Sequence, residues 1–440
     1  MPENARRVLE TLNDHGHKAY VVGGCVRDTL LGLAPKDWDI CTSATPEEMQ
    51  QVFRGFHVVE TGLQHGTITV VLDHTPYEVT TFRVDGEYTD HRHPDGVQFV
   101  TDVRQDLSRR DFTVNAMAYH PVEGLIDCFG GREDLDRRVI RCVGQAEKRF
   151  EEDALRILRA LRFASVYDFA IEDATARAAL KLKDTLTMVA AERIHVELTK
   201  LLCGKACGRI LREFRDIIAV VMPEIVPAFD FNQHTPHHLY DVWEHTVRAV
   251  EAVEPTETLR MTMLLHDLGK PEAFFKDEAG VGHMYGHGRL SANMAKDITN
   301  RLRFDNATRE RVLTLVEHHD IDLMPDEKII KRRLNQFGEE ALSQLISVRR
   351  ADRLAKGTME EPVIREGEAA LRQVMRQVLD AGECFSLRQL QVNGRDMMIL
   401  GLKGKQVGEA LNVLLEAVID GQVNNEHQAL LTFAQERCLK

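Results

Sequence analysis

Two aspartates, Asp37 and Asp39 in PKDWDI, follow shortly after a glycine pair and an arginine, Gly23-Gly24 and Arg27 in VVGGCVRD. Paired glycines let a backbone approach a ligand closely and present N–H groups with no Cβ in the way. Arg27 adds a fixed guanidinium suited to phosphate. On a β-strand, positions i and i+2 point to one side, so Asp37 and Asp39 could grip a divalent metal together. Carboxylate-held metal beside a phosphate cradle is the apparatus of phosphoryl or nucleotidyl transfer. Glu78, in YEVTTFR, falls on a neighbouring strand by pattern and is a candidate third ligand. The competing reading of DWD is a capped turn with solvated acids.

Two further clusters carry arginine. Arg109-Arg110-Asp111, ahead of Phe112–Ala116, offers donors for phosphate or ribose, although an RRD alone is more often a surface ion-pair cluster. In Arg149–Arg162, RFEEDALRILRALR, the residues Asp153, Arg156, Arg159 and Arg162 recur at i+3 and are expected on one helix. Each such step drifts about 60° around the axis, so Asp153 and Arg156 act together while Arg162 faces almost the opposite way. An intrahelical salt-bridge ladder is the plain reading. The sharper one is base recognition. An Asp acceptor beside an Arg donor matches the edges of cytosine and adenine, which pair an exocyclic amine with a ring-nitrogen acceptor. Uracil and guanine would leave buried polar groups unpaired, which makes rejection strong.

Taken in order, GGCVRD, PKDWDI, RRDFTVNAMAY, DCFGGREDL and EEDALRILRALRF resemble the class II CCA-adding tRNA nucleotidyltransferases of bacteria, densely over about 200 N-terminal residues and loosely beyond. The resemblance implies a cytoplasmic enzyme that adds or repairs the 3′-CCA of tRNA with CTP, ATP and Mg²⁺. It implies that Gly24, Arg27 and Arg110 bind the nucleotide's phosphates or ribose, and that Asp37 and Asp39 hold the metal. Asp153 and Arg156 would read the incoming base, with Arg159 and Arg162 supporting the nucleotide. Asp127–Arg132 would match an element that switches from CTP to ATP. An enzyme adding only A and a poly(A) polymerase share the first motifs and stay as alternatives.

A second metal pattern lies further on: His245 in WEHTV, His266-Asp267 in LLHDLGK, His287 in YGHGRLS, His319 in VEHHD and Asp352 in RRADR. It resembles the HD-superfamily phosphohydrolases, whose ligands hold one or two metals and activate water. Mn²⁺, Ni²⁺ or Fe²⁺ are the candidates here. This leaves a different-class alternative, an HD phosphohydrolase with a nucleotide-sensing head. Spacing alone does not choose between His318 and His319.

The elements that must position these groups divide the 440 residues into an α+β head and an all-helical remainder. Strands are expected at Ala19–Val22, Thr67–Leu72 and Glu78–Phe82, and helices at Arg6–His15 and, capped by Thr45, Pro46–Phe53. Asp85–Gly96 reads as a loop, and Phe112–Val143 as short strands and turns. From Glu151 the pattern is helical almost to the end. The expected order is a polymerase-β-like head over 1–143, a neck with the base-reading helix over 144–205, an HD-type body over 206–365 and a helical tail over 366–440. Eight scattered cysteines without a CxxC pair read as reduced cytosolic thiols. No run reaches the ~18 apolar residues of a membrane span, and MPENARRVLE lacks a signal-peptide core. A net charge of −13 argues against nucleic-acid binding by bulk attraction. Arg104–Arg162, with twelve Lys/Arg against eleven Asp/Glu, is balanced enough to present a local basic face.

Overall fold

The computed structural model describes residues 1–60, 62–63, 66–86 and 96–439, and the chain separates into two units, Met1–Pro223 and Glu224–Lys440. The first unit opens with α1 (Glu3–Asp14), β1 (Ala19–Val22), α2 (Gly24–Leu30), β2 (Ile40–Thr42) and α3 (Pro46–Val52). Strands β3 (His57–Val59), β4 (Thr67–Leu72), β5 (Thr75–Thr81), β6 (Arg83–Asp85) and β7 (Val97–Phe99) follow. Next come α4 (Val103–Ser108), β8 (Met117–His120), β9 (Gly124–Asp127), α5 (Gly131–Arg137) and β10 (Val139–Ile140). The unit continues with α6 (Ala146–Glu152), α7 (Leu155–Tyr167), β11 (Ala170–Ile171), α8 (Asp173–Leu182), α9 (Ala191–Leu202), α10 (Cys207–Glu213) and α11 (Arg215–Val221).

Seven of the strands form one mixed sheet in the order β3-β4-β5-β2-β1-β8-β9. β1 lies between antiparallel neighbours β2 and β8, and all four of its residues are buried. That is why AYVV is apolar throughout, whereas β4 alternates and buries only Ile68, Val70 and Leu72. Each fully buried Val or Ile contributes about 1.5–3 kcal/mol of burial. β2 and β5 run parallel with Ile40 opposite Val79, so Asp39, just ahead of β2, falls beside Glu78 on β5. Thr45 and Glu48 close a capping box ahead of α3, with Pro46 in its first turn.

Three local expectations need correction. Asp37 and Asp39 are not inside a strand: they precede β2, and the Asp39 carbonyl accepts from Val22 N–H at 2.9 Å. The region Phe112–Val143 includes a helix, α5. Its start is fixed by Asp127, whose carboxylate accepts from the N–H groups of Phe129, Gly131 and Arg132. Finally, Asp153 and its arginines do not share a helix. α6 stops at Glu152, Asp153 is extended (φ −144°, ψ 105°), and α7 starts at Leu155. The Asp153 carboxylate accepts from Leu155 N–H at 3.1 Å, the local bonding that favours aspartate at helix starts over helix interiors. The loop expected at Asp85–Gly96 falls mostly on 87–95, outside the described residues.

The second unit is helical apart from a two-stranded pairing. It contains α12 (Val242–Ala252), α13 (Glu257–Leu265), α14 (Lys270–Ala273), β12 (Phe275–Lys276), β13 (Gly282–His283), α15 (His287–Arg301) and α16 (Asn306–Glu317). After these come α17 (Glu327–Lys356), α18 (Glu361–Asp380), α19 (Gly394–Ile399), α20 (Lys405–Ile419) and α21 (His427–Cys438). α17 is two helices meeting at Gly338, whose φ of +77° breaks the spiral. One apolar cluster joins Leu323, Ile330, Leu342 and Ile346 to Leu371 and Val378, and another centres on Met397, Leu414 and Leu430. Among the described residues no helix is long and apolar enough to cross a membrane.

Candidate active site and a histidine–aspartate centre

The turn from β1 into α2 depends on Gly23 more than on Gly24. Gly23 has φ +80° and ψ −125°, and a Cβ there would lie 2.8 Å from Nη1 of Arg110. Arg110 thus packs directly over the glycine turn, and its charge acts on Asp39. Asp39 is half-buried, while Asp37 and Glu78 are exposed beside it. Burial, then the charges of Asp37 and Glu78, push the Asp39 carboxyl up to about 6 against the pull of Arg110. Asp39, crowded by two neighbouring carboxylates, is part of an oxygen donor set that a divalent hard cation would relieve, so the residues fit Mg²⁺.

Arg27 is buried at 7% exposure and bonded on every side. Its guanidinium donates to Asn115 Oδ1 and to Asp28 Oδ1, and stacks against Phe163 and Tyr167 at 5.1 and 4.7 Å. Tyr167 closes the ring by donating to Asp28 at 2.9 Å. Asn115 in turn donates to Asp111, whose other oxygen takes two bonds from Arg159 at 2.8 and 2.6 Å. Burial alone would raise the Asp111 pKa; Arg159 and Asn115 overcome it and hold the carboxyl at about 2. One polar chain, Arg27–Asn115–Asp111–Arg159, therefore fastens α2 to α7. Arg162 leaves this chain for Glu197 on α9 at 2.8 Å.

The two residues expected to read a base are close in sequence but are not joined by an ion pair. Arg156 binds Glu152 at 2.6 Å and the backbone carbonyls of Arg149 and Arg109. Asp153 binds Arg193, in the first turn of α9, at 2.8 Å. Sequence reading missed Glu152, Arg193 and Glu197; Asn115, expected as a donor for phosphate or ribose, instead ties Arg27 to Asp111. Glu152 adjoins Asp153 and was within reach of inspection, whereas Arg193 has no local signal and is brought in only by the packing of α7 on α9.

The second unit gathers its histidines tightly. His245, His266 and Asp267 bring ligand atoms within 4.8 Å of one another, and so do Asp267, His287 and His319. Asp267 is shared. Asp352 Oδ1 lies 3.2 Å from His245 Nε2. His318 points elsewhere, packing on Phe337 at 5.0 Å. Nδ1 of His287 and of His319 each sits on a backbone carbonyl, at 2.8 and 2.7 Å, so each Nδ1 carries the proton. Their Nε2 atoms, left with lone pairs, face one another at 3.1 Å, with Asp267 Oδ1 at 3.3 and 3.6 Å. These three atoms form a donor set that a cation would suit. Asp267 Oδ2 lies 2.6 Å from Lys270 Nζ and 3.1 Å from His245 Nε2. The centre opens into a cavity of about 500 Å³ lined also by His238, Tyr285 and Lys356.

Comparison with known proteins decides the family. The profile of the poly A polymerase head domain matches residues 19–141, and that of tRNA nucleotidyltransferase domain 2 matches 287–434. A third, for an RNA and SrmB-binding site of polymerase A, matches 168–229. The CCA-adding enzyme of Enterococcus faecalis is 32% identical over 437 residues, covering 99% of this chain and 96% of that protein. This chain belongs to the CCA-adding enzyme family. The CCA-adding enzyme of Staphylococcus aureus matches at 32% over 438 residues, 98% of this chain and 96% of that one. The solved CCA-adding enzyme of Bacillus stearothermophilus, in complex with CTP, superposes with a TM-score of 0.74 at 29% identity, covering 99% and 98% of the two chains. The α+β head followed by a helical remainder is thus the family's architecture.

Proposed function

We propose that this chain adds or repairs the 3′-terminal CCA of tRNA from CTP and ATP, as a cytoplasmic, Mg²⁺-dependent nucleotidyltransferase. The tRNA 3′-hydroxyl attacks the α-phosphate in line and pyrophosphate leaves. The reading is supported above all by the convergence of the Gly23 turn, Arg110 and the Asp37–Asp39–Glu78 carboxyls at one end of the sheet. Asp37 and Asp39, with Glu78 beside them, would hold the metal, which when bound supplies positive charge at the reacting oxygens. Gly24 N–H and Arg110 face the triphosphate, while Arg27 braces the cradle from behind through Asn115 and Phe163. Arg159 and Arg162 set the position of α7 through Asp111 and Glu197. Asp153 accepts from the amine of C or A, and Arg156 donates to the adjacent ring nitrogen. Catalysis is positioning and charge stabilisation, with no covalent enzyme intermediate. The domain order follows the same reading: head over 1–143, neck over 144–205, HD-type body over 206–365 and tail over 366–440, the last three gripping tRNA by shape and backbone.

A second metal centre is favoured by the facing Nε2 atoms of His287 and His319. Nitrogen and carboxylate donors suit Mn²⁺, Ni²⁺ or Fe²⁺, shared between the two triads through Asp267.

The test is nucleotide addition to a tRNA ending before CCA. Asp37→Ala and Asp39→Ala each abolish incorporation, by at least about a thousandfold given what removal of a charge-stabilising group removes, with the thermal unfolding profile retained. Incorporation surviving in both variants overturns the assignment. Survival of phosphohydrolase activity alone moves the chemistry to the histidine centre.

A further inference from the structure

An aspartate and an arginine three residues apart at the start of a helix ordinarily find each other. Such a pair would close on itself and present neither an acceptor nor a donor to a base. Here each partner is held by something else: Arg156 by Glu152 at 2.6 Å, and Asp153 by Arg193 at 2.8 Å. Arg193 is also misplaced by helix electrostatics. It is the third residue of α9, where a cation opposes the positive end of the helix dipole, and Ala190 offers no side-chain cap. The carboxylate of Asp153 at that helix end offsets both charges. Asp153 Oδ1 is meanwhile occupied by Leu155 N–H, so the whole carboxylate is fixed in rotation by one bond to each oxygen. Each oxygen keeps a second lone pair for another donor.

We propose that Arg193 is a positioning residue for nucleotide selection: it keeps Asp153 oriented and apart from Arg156, so that both stay open to the edge of C or A. The inference rests on the reading of Asp153 and Arg156 as the base-contacting pair. Arg193 touches no nucleotide in this account and acts only through Asp153. Without it, Asp153 is free to swing toward Arg156, and the pair loses its preference for an amine next to a ring acceptor.

The experiment measures kcat/KM for single additions of CTP, UTP, ATP and GTP. Wild type, Arg193→Ala, Arg193→Lys, Arg193→Gln and Asp153→Asn are compared on tRNAs ending before CCA and after CC. Arg193→Ala is expected to lower the C-over-U and A-over-G ratios about tenfold, the scale of one misdirected hydrogen bond. Arg193→Lys, which can still offer the single donor and charge, restores most of the discrimination. Arg193→Gln, which keeps bulk without charge, behaves like Arg193→Ala and carries the test should the alanine variant fold poorly. Equal loss for all four nucleotides would mark Arg193 as merely structural and overturn the inference. Discrimination lost in Asp153→Asn but intact in Arg193→Ala and Arg193→Gln overturns it too, while leaving the base-reading assignment standing. Discrimination intact in Asp153→Asn removes the assignment itself.

Discussion

Asp111 illustrates how a single carboxylate can serve as a structural node beneath a charged site. It is buried, yet receives bonds from Asn115, Phe112 N–H and two nitrogens of Arg159, and its pKa settles at about 2. The unfolded chain holds the same group near 3.9. A depressed folded pKa means the ionised form is the stabilised one. Its contribution is therefore full above about pH 4 and disappears as pH falls toward 2, and amounts to about 2 kcal/mol at neutral pH. Asp111→Asn should lower unfolding free energy by about that much at pH 7, and the gap from wild type should narrow between pH 4 and 2. Denaturant titrations at a series of pH values check this; a gap unchanged by acid contradicts it. At this scale the sequence was informative about residue types and poor about partners. The RRD run marked Asp111 as notable, but nothing local linked it to Arg159, 48 positions on. Likewise the DWD pair and Glu78 were readable, whereas the pressure on Asp39 comes first from its burial, which only the fold sets.

Among the elements, the β1–α2 turn is the one whose geometry the glycine pair announced. Which glycine bears the burden was not legible, because both are free of side chains and only the fold sets φ. Gly23 occupies a backbone region closed to other residues, and Arg110 fills the space a Cβ would need. Gly23→Ala should cost about 1–3 kcal/mol of stability and displace Arg110, raising KM for CTP and ATP. Gly24→Ala, in ordinary helical backbone with only Arg27 Nη2 at 3.5 Å, should be milder in both measurements. Equal effects at the two positions would refute the distinction. The neck was the least faithful reading. An i+3 spacing of Asp153, Arg156, Arg159 and Arg162 looks like one helix, but aspartate competes for the nearby N–H of Leu155 and breaks it. That break is what turns Asp153 toward α9 instead of along the arginine row.

Over the whole molecule, the split into a mixed-sheet unit and a helical unit follows from a change of apolar period that the sequence displays openly. The metal-type histidines were equally plain as a set. Their pairing was not, since His245, His287, His319 and Asp352 lie on four separate helices or their ends and are brought together only by the packing of those helices around Asp267. If a cation resolves the facing lone pairs, elemental analysis of protein purified without chelator should find a first-row transition metal. Asp267→Asn should lose it all, and His287→Ala part of it, with CCA addition retained. Metal-free wild type would contradict the centre. The nucleotidyl-transfer chemistry belongs to the other unit and is tested by stepwise incorporation. Protein with Mg²⁺ is given tRNA ending before CCA, after C, or after CC, with each nucleoside triphosphate alone and with CTP plus ATP. C, C and A should be added in turn, synthesis stopping there, with UTP and GTP refused. Incorporation of A only onto the CC end, long A tails, or no incorporation would each contradict this.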